Sequence, residues 1–418
     1  MIALRRWDAV VVGAGPSGSA VALALARAGA TVLLVDRARF PRDKPCSEYL
    51  SPAATPLLQR LDPDLVPAIE RTEPGRLYGM RIVGPDGRAA VGRFPRLPGS
   101  YRSPPYGFAV SRTVLDTLLV RGAERAGAVI EERAQVEDLC YDQGAVAGVM
   151  IRGGGGRPSR AVPARVVVGA DGLRSIVARR LGLRRRSAPE RLAFTAHFSG
   201  VADVGDVGEM HVGPRGEGYV GLGPIGRGVT TMALVLPAPA ARRRAPELRD
   251  TAALSSGAEA FPALRGRFAS ARAVREILAI GPFAQWSRRS VAPSGGALLV
   301  GDAADFFDPF TGQGLFSALR GAELAAATIR AALAAQARGP LHERVLASYA
   351  AARRRAFAGK WILERLIGVG VGWPWLAARV IARLARHPTL ADLLIGATGN
   401  VVPARAVLAP SHVFRLLV

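Results

Sequence analysis

The segment DAVVVGAGPSGSAVALALARAGATVLLVDR, residues 8–37, is compatible with very few folds. An apolar run meets Gly13, small residues continue with helical spacing, and a second apolar run ends at Asp36. This reads as strand, glycine turn, helix, strand, a unit that needs a parallel sheet and a crossover helix. The three glycines have separate tasks. Gly13 makes the tight turn, Gly15 lets backbone approach a pyrophosphate, and Gly18 lets helix and strand pack closely. Asp36 follows Gly18 by 18 residues, where a carboxylate can accept from ribose hydroxyls. Together they predict a dinucleotide-binding unit.

Two later segments return to the same sheet. ARVVVGADGLRSIVARRLG (164–182) predicts a strand, a GADG turn and a helix, and GGALLVGDAADF (295–306) another strand meeting a turn. The dinucleotide domain is therefore discontinuous. Its last piece continues to GDAADFFDPFTGQG (301–314), with Asp302 at the mouth of the strand and Gly312 and Gly314 opening a long Ala/Leu-rich helix. A carboxylate suits hydroxyl groups. A bare helix N-terminus suits negative charge, because its first amides are unpaired and the macrodipole is positive there. A ligand with a polyol chain at one end and an electron-rich ring at the other satisfies both.

Between these pieces the pattern changes. LYGMRIVGPDGRAAVGRF (77–94) predicts a hairpin around Pro85-Asp86-Gly87, and RLAFTAHFSGV (191–201), GYVGLG (218–223) and VTTMALVL (229–236) are rich in β-formers. They predict a mostly antiparallel sheet roofing the ligand, and the chain after about residue 336 reads as helical. The fold class is α/β. Residues 1–76, 104–182 and 286–335 form a discontinuous Rossmann-like domain, 77–103 and 183–285 a substrate domain, and 336–418 a helical C-terminal region.

The formal charge of +23, from 56 basic and 33 acidic residues, raises the question of nucleic acid. Lys44 and Lys360 are the only lysines, the arginines are scattered among alanines, and no aromatic-interleaved basic stripe or RNA-binding signature occurs, so no nucleic-acid partner is expected. Attraction to an anionic membrane or a charged carrier suits the charge better. In WLAARVIARLAR (375–386), Arg379, Arg383 and Arg386 share one helical face and Leu376, Val380 and Leu384 another, just after Trp361, Trp373 and Trp375. This is a helix for a membrane surface, for the mouth of a greasy tunnel, or for docking on its own domain. The apolar stretch 366–378 is too short to span a bilayer. Cys46 and Cys140 offer no disulfide framework, and the N-terminus lacks a cleavable signal pattern. The expected location is cytoplasmic, with peripheral membrane contact through the C-terminal region. No metal site is expected.

GAGPSG (13–18), GADG (169–172) and GDAADFFDPFTGQG (301–314), in that order, resemble the FAD-dependent group A aromatic hydroxylases and their relatives, the geranylgeranyl reductases. The resemblance implies FAD. Gly13, Gly15 and Gly18 would hold its pyrophosphate and Asp36, where these families more often have Glu, its adenosine ribose. Arg112, in FAVSRTVLDTLL, matches the arginine near the pyrophosphate and adenosine half. Asp171 lies in the motif that supports FAD and, in the hydroxylases, NAD(P)H. Asp302 would bind ribityl or pyrophosphate-linked hydroxyls, and Pro309 with the amides of Gly312, Gln313 and Gly314 would face the flavin's N1 and C2 carbonyl. The segment RDKPCSEYLSP (42–52) also resembles both families, placing Arg42 and Lys44 at phosphates or a nicotinamide donor and Cys46 and Glu48 close to the flavin. Trp286 would pack near the dimethylbenzene edge or in the core.

Two chemistries follow from the resemblance, hydroxylation of an aromatic ring with NAD(P)H and O2 or reduction of prenyl double bonds. The reductases usually carry Tyr-x-Trp-x-Phe-Pro in the substrate sheet. Here GYVGLGPIG keeps Tyr219 but has Gly221 and Gly223 at the Trp and Phe positions, and the halogenases' Trp-x-Trp-x-Ile-Pro is absent. The expectation is an NAD(P)H-dependent monooxygenase acting on a lipophilic aromatic or polyketide-type substrate. Geranylgeranyl reductase-type chemistry is the alternative, and a non-catalytic FAD-binding protein a third. His197, His211 and Tyr219 are the candidate catalytic side chains of the roof.

Overall fold

The computed structural model describes residues 6–95, 105–153, 158–214, 216 and 218–417. Strand Trp7–Val12 lies between Val32–Val35 and Arg160–Gly169, parallel to both. Val129–Glu131 extends the sheet beyond Val32–Val35. The long strand Arg160–Gly169 splits its free side: its first half pairs with the antiparallel hairpin Val136–Asp142/Ala145–Ile151, its second half with Ala297–Leu299 in parallel. The sheet is covered on both faces, so the strands read as unbroken apolar runs. Ala9 and Val11 pack toward helices Pro16–Arg27, Arg112–Arg125 and Gly314–Ala335. Val10 and Val12 pack toward the hairpin, with Val146 and Val149. Each such fully buried valine contributes about 1.5–3 kcal/mol relative to leaving it exposed.

The roof is an eight-stranded sheet among the described residues, led by Arg191–Ser199, Val229–Pro237 and Tyr219–Gly226 in antiparallel order. The expected hairpin is present as Gly79–Val83 and Ala89–Arg93. Joining it to the roof is a strand not read from sequence, Gly208–Val212, which runs parallel to Gly79–Val83. Alternation decides what the roof presents. Ala193, Thr195, Met210, Tyr219, Gly221, Ala233 and Val235 line the cavity below. Phe194, Val220, Leu222, Met232 and Leu234 face the other way and are covered by Ala241, Leu254 and Ala258 of helices Ala238–Arg244 and Thr251–Glu259.

The C-terminal region is helical, as expected. The helix Glu343–Gly370 docks its first turns on the dinucleotide sheet, where the buried Tyr349 hydroxyl donates to Leu299 O at 2.8 Å. Its later turns pass over the cavity. Helices Pro374–Arg386, Pro388–Thr398 and Pro410–Leu417 follow, the second packed on strand Ala89–Arg93 around Gly92. Among the described residues, no helix is long and apolar enough to cross a membrane.

Candidate functional site

One cavity runs from Gly15 and Arg112 at one end to Trp361 and Glu364 at the other. At its first end the glycines are where their backbone demands put them. Gly13 has φ +100°, and a Cβ there would sit 2.6 Å from Ala170 O. A Cβ on Gly18 would lie 1.8 Å from Gly13 O, so only glycine lets the helix approach this turn. Gly15 is different. A Cβ there would meet only Arg42 Nη2 at 3.7 Å and Arg112 Nη2 at 4.0 Å, leaving an open cradle flanked by two guanidinium groups. Arg112 is held by two 2.7 Å hydrogen bonds to Asp116, four residues along its helix. Arg42 comes within 3.0 Å of the same carboxylate, yet its buried Nη1 makes no aligned hydrogen bond. Cationic donors beside an open glycine suit phosphate oxygens. Asp36 accepts from Ala14 N at 2.7 Å and Ala38 N at 2.8 Å, which ties the end of its strand to the glycine turn.

Further along the cavity, Asp302 lies on the wall beside Lys44. Burial lowers the Lys44 pKa, and the Asp302 carboxylate opposes that shift. Cys46 lines the same stretch as a free thiol, pushed up by burial and opposed by the Arg112 charge. Pro309, Gly312 and Gly314 also line it. Gly312 takes φ +66° against the Tyr49 ring, and Gly314 begins the 22-residue helix Gly314–Ala335, which has no side-chain cap. A Cβ on Gly314 would find only Phe306, at 3.9 Å. Uncapped amides thus open onto the cavity, the arrangement read from the sequence.

Four of the expected side chains are engaged away from the cavity. The Asp171 carboxylate turns away and accepts from Ser175 Oγ at 2.6 Å and Ile176 N at 2.6 Å, bracing the start of the following short helix Ile176–Arg180. The Gln313 side chain donates to Ala397 O at 3.1 Å, while its neighbours Gly312 and Gly314 line the cavity. Trp286 is half-buried in a small sheet with Arg184–Arg186 and Asp305–Phe306. His211 lies on the outer face of the roof, because it alternates with the inward Met210; its Nε2 is 2.8 Å from Glu209 Oε2. There Glu209 takes two 2.8 Å hydrogen bonds from Arg267.

His197 shares the inward face with Ala193 and Thr195, and its Nε2 is 2.6 Å from Glu48 Oε2 without hydrogen-bond alignment. Glu48 is fully buried at φ +61°, and Arg275 stands 3.5 Å from its other oxygen. Tyr219 does line the cavity. Its hydroxyl donates to Asp308 Oδ1 at 2.6 Å, and its ring meets Phe310 edge-on at 5.0 Å. Burial and the adjacent Asp308 charge push its pKa well above the ordinary value, so it keeps its proton. Asp308 is also paired with Arg191 and accepts from Phe310 N at 2.9 Å.

Sequence reasoning missed the wall that helix Glu343–Gly370 supplies. Arg353, Phe357, Lys360, Trp361 and Glu364 recur at helical spacing and line the cavity. Their charges are compensated: Arg353 pairs with Asp305, and Lys360 Nζ lies 2.7 Å from Glu364 Oε1. Burial lowers Arg353 to about 10, still cationic at neutral pH. The spacing was legible, but nothing local says which way that face points. Asp116 and Asp308 were missed too, although each sits in a quoted motif.

These residues fit FAD: an open glycine flanked by guanidinium groups for the pyrophosphate, a carboxylate for hydroxyls, and uncapped amides for the ring. Comparison with known proteins agrees. Residues 6–362 match the FAD binding domain family. The chain is similar to a menaquinone reductase of Mycobacterium tuberculosis, 31% identical over 76% of this chain and 75% of the relative. It is also similar to a digeranylgeranylglycerophospholipid reductase of Methanopyrus kandleri, 30% identical over 75% of this chain and 74% of that one. In fold it resembles a flavin-dependent brominase (TM-score 0.79, 21% identical, 97% of this chain and 98% of that chain). A geranylgeranyl bacteriochlorophyll reductase-like protein from Thermoplasma acidophilum gives TM-score 0.76 at 21% identity, over 99% of this chain and 98% of that one. With its glycine turn, paired arginines and helix mouth assembled around one cavity, the chain belongs to the FAD binding domain family and is an FAD-dependent oxidoreductase.

Proposed function

We propose that the protein reduces a carbon–carbon double bond in the isoprenoid part of a lipid, with NAD(P)H as the source of electrons. One observation carries the substrate class: among the described residues, no charged side chain of the roof sheet reaches the cavity. Ala193, Met210, Gly221, Ala233, Val235 and Ile280 form an apolar ceiling, and Phe357 and Trp361 a side wall. The charges that do line the cavity are paired or sit at its FAD end. Such a space favours a lipophilic chain, at about 25 cal/mol per Å² of apolar surface removed from water. The relatives named for reduction of menaquinone and of an isoprenoid phospholipid support the reaction type.

Bound FAD supplies the electron pair. Arg42 and Arg112 would anchor its phosphates at the far end, Asp302 its hydroxyls, and the amides at Gly314 would stabilise negative charge on the ring without a titrating side chain. Tyr219 keeps its proton on Oη, donated to Asp308, so it orients and does not act as a base. The ceiling and the helix wall exclude water from the reacting face.

A specific observation favours a second reading, hydroxylation of a lipophilic aromatic or polyketide-type ring with O2. Gly221 lies in the ceiling, where a Cβ would come within 3.3 Å of Met210 Sδ, and a Cβ on Gly223 would have nothing nearer than 3.8 Å. A flat ring fits beneath such a surface. The two readings separate in one assay. The reduced protein is incubated anaerobically with polyprenyl lipids, and in parallel with phenols under heavy-isotope oxygen. The expected outcome is prenyl lipid carrying two added hydrogens, with unlabelled phenols; labelled phenol and unreacted prenyl lipid reverse the conclusion.

A further inference from the structure

The helix that walls the cavity has a second face. Ile362, Leu366 and Val369 follow one another at four- and three-residue steps and are all exposed, Leu366 by 57%. Trp373 continues the stripe at the next step, and its ring stacks on Trp375 at 6.3 Å between centroids. Trp375 is 67% exposed. Two indoles stacked in the open, at the end of an apolar stripe, leave a cost in water that the fold itself does not remove.

Along this stretch of chain the charges are almost all of one sign, and Asp86 with Arg88 of the hairpin turn stands beside Arg379, Arg383 and Arg386. From Arg354 to Ala391 the sequence contains a single acid, Glu364, and it is buried against Lys360. Arg365 and Leu366 are adjacent exposed residues, and Arg365 lies 4.6 Å over the Phe307 ring. Helix Pro374–Arg386 carries Arg379 and Arg386, both exposed, with Arg383 between them donating to Arg415 O at 3.0 Å. Helix Pro410–Leu417, tied on by that bond, adds Phe414 at 64% exposure. Arginines beside exposed Trp, Phe and Leu are complementary to an anionic bilayer, which offers phosphates to the cations and acyl chains to the rings.

We infer that the face formed by Ile362, Leu366, Val369, Trp373 and Trp375, with the arginines beside it, docks the protein on the surface of an anionic membrane. The stripe and the cavity wall are opposite faces of one helix, so docking sets the cavity beside the bilayer in which an isoprenoid lipid dissolves. That consequence rests on the lipophilic-substrate reading; the docking itself does not.

The test uses FAD-loaded protein without substrate, so that its failure and the failure of the proposed reaction are separable. The protein is sedimented with vesicles of phosphatidylcholine, or of phosphatidylcholine with phosphatidylglycerol. The anionic vesicles should carry it down, with a blue shift of tryptophan emission, and rising salt should release it. Trp373→Ser with Trp375→Ser should lower partitioning roughly tenfold while FAD content and the melting temperature stay as in the parent. Leu366→Gln, on the neighbouring turn, should lower it in the same direction. The proposal is overturned if the protein stays in solution with both vesicle types, or if neutral vesicles bind it equally well. It is also overturned if the double variant sediments like the parent, or if the face buries a second copy, seen as a dimer that the double variant dissociates.

Discussion

At Gly314, a single hydrogen atom keeps the helix mouth open toward the cavity. A Cβ there would touch only Phe306, at 3.9 Å, so Gly314→Val adds bulk to the cavity and not to the core. Helix propensity changes by no more than about 1 kcal/mol. The apoprotein should therefore melt close to the parent, while FAD content after purification falls sharply; equal flavin absorbance would remove this residue from the site. Asp302→Ala makes a complementary test. Loss of charge-assisted hydrogen bonds to ligand hydroxyls should weaken FAD by about 1–3 kcal/mol, read as the FAD dissociation constant. The glycines were legible in the sequence because much of their requirement is local: Gly13 takes φ +100° at the turn and Gly18 closes on Gly13 O within it, although Gly13 also abuts Ala170 O from a distant strand. His211 was not, because its face depends on a strand that its sequence, GEMHV, hardly signals. Asp171 and Gln313 lie in the right motifs, yet their side chains serve the backbone around them.

Among the elements, strand Gly208–Val212 shows how a weak β-former is held. Glu209 is clamped by Arg267, which also donates to the carbonyls of Ala202 and Asp203 and so ties the preceding loop to the roof. Burial alone would raise the Glu209 pKa, but the Arg267 hydrogen bonds, His211 and the Arg267 charge outweigh it and hold it at about 2, below the ordinary 4.5. A carboxylate depressed in the folded state contributes stability that is fully present above its unfolded pKa and is lost as pH falls toward the folded one. The roof should therefore weaken between about pH 4.5 and 2. Glu209→Gln should flatten that part of the profile and cost about 3–5 kcal/mol at neutral pH by leaving Arg267 buried without its partner. Urea unfolding across the pH range checks both; an unchanged slope below pH 4.5 removes Glu209 as the cause. Helix Glu343–Gly370 was legible as a helix but not as a wall, because its cavity side and its exposed stripe are equally periodic. Only packing of Tyr349 against Leu299 settles which side faces in.

In the whole molecule, the dinucleotide sheet, the roof and the C-terminal helix meet at the cavity, where one apolar cluster joins Leu173, Ala193 and Leu363, while the sheet and the outer roof keep cores of their own. A ligand that touches all three should stabilise them together. At a hundredfold excess over its dissociation constant, FAD should add about 2.7 kcal/mol, seen in calorimetry as one transition moving upward with FAD concentration. A transition that stays put, or a roof that melts independently of FAD, argues against the shared site. The α/β class and the helical end were readable because the glycine turns and apolar runs are short-range signals. How the layers close over one another was not, since it depends on pairings such as Val167–Gly169 with Ala297–Leu299. That pairing also matters while the chain is being made. The inner edge beside Val168 is completed only when residue 299 has left the ribosome, about 130 residues after Gly169. At 5–20 residues per second the wait is on the order of ten seconds, during which an apolar strand edge stands open to wrong partners. The nascent chain should therefore depend on chaperones through this interval more than a contiguous sheet would.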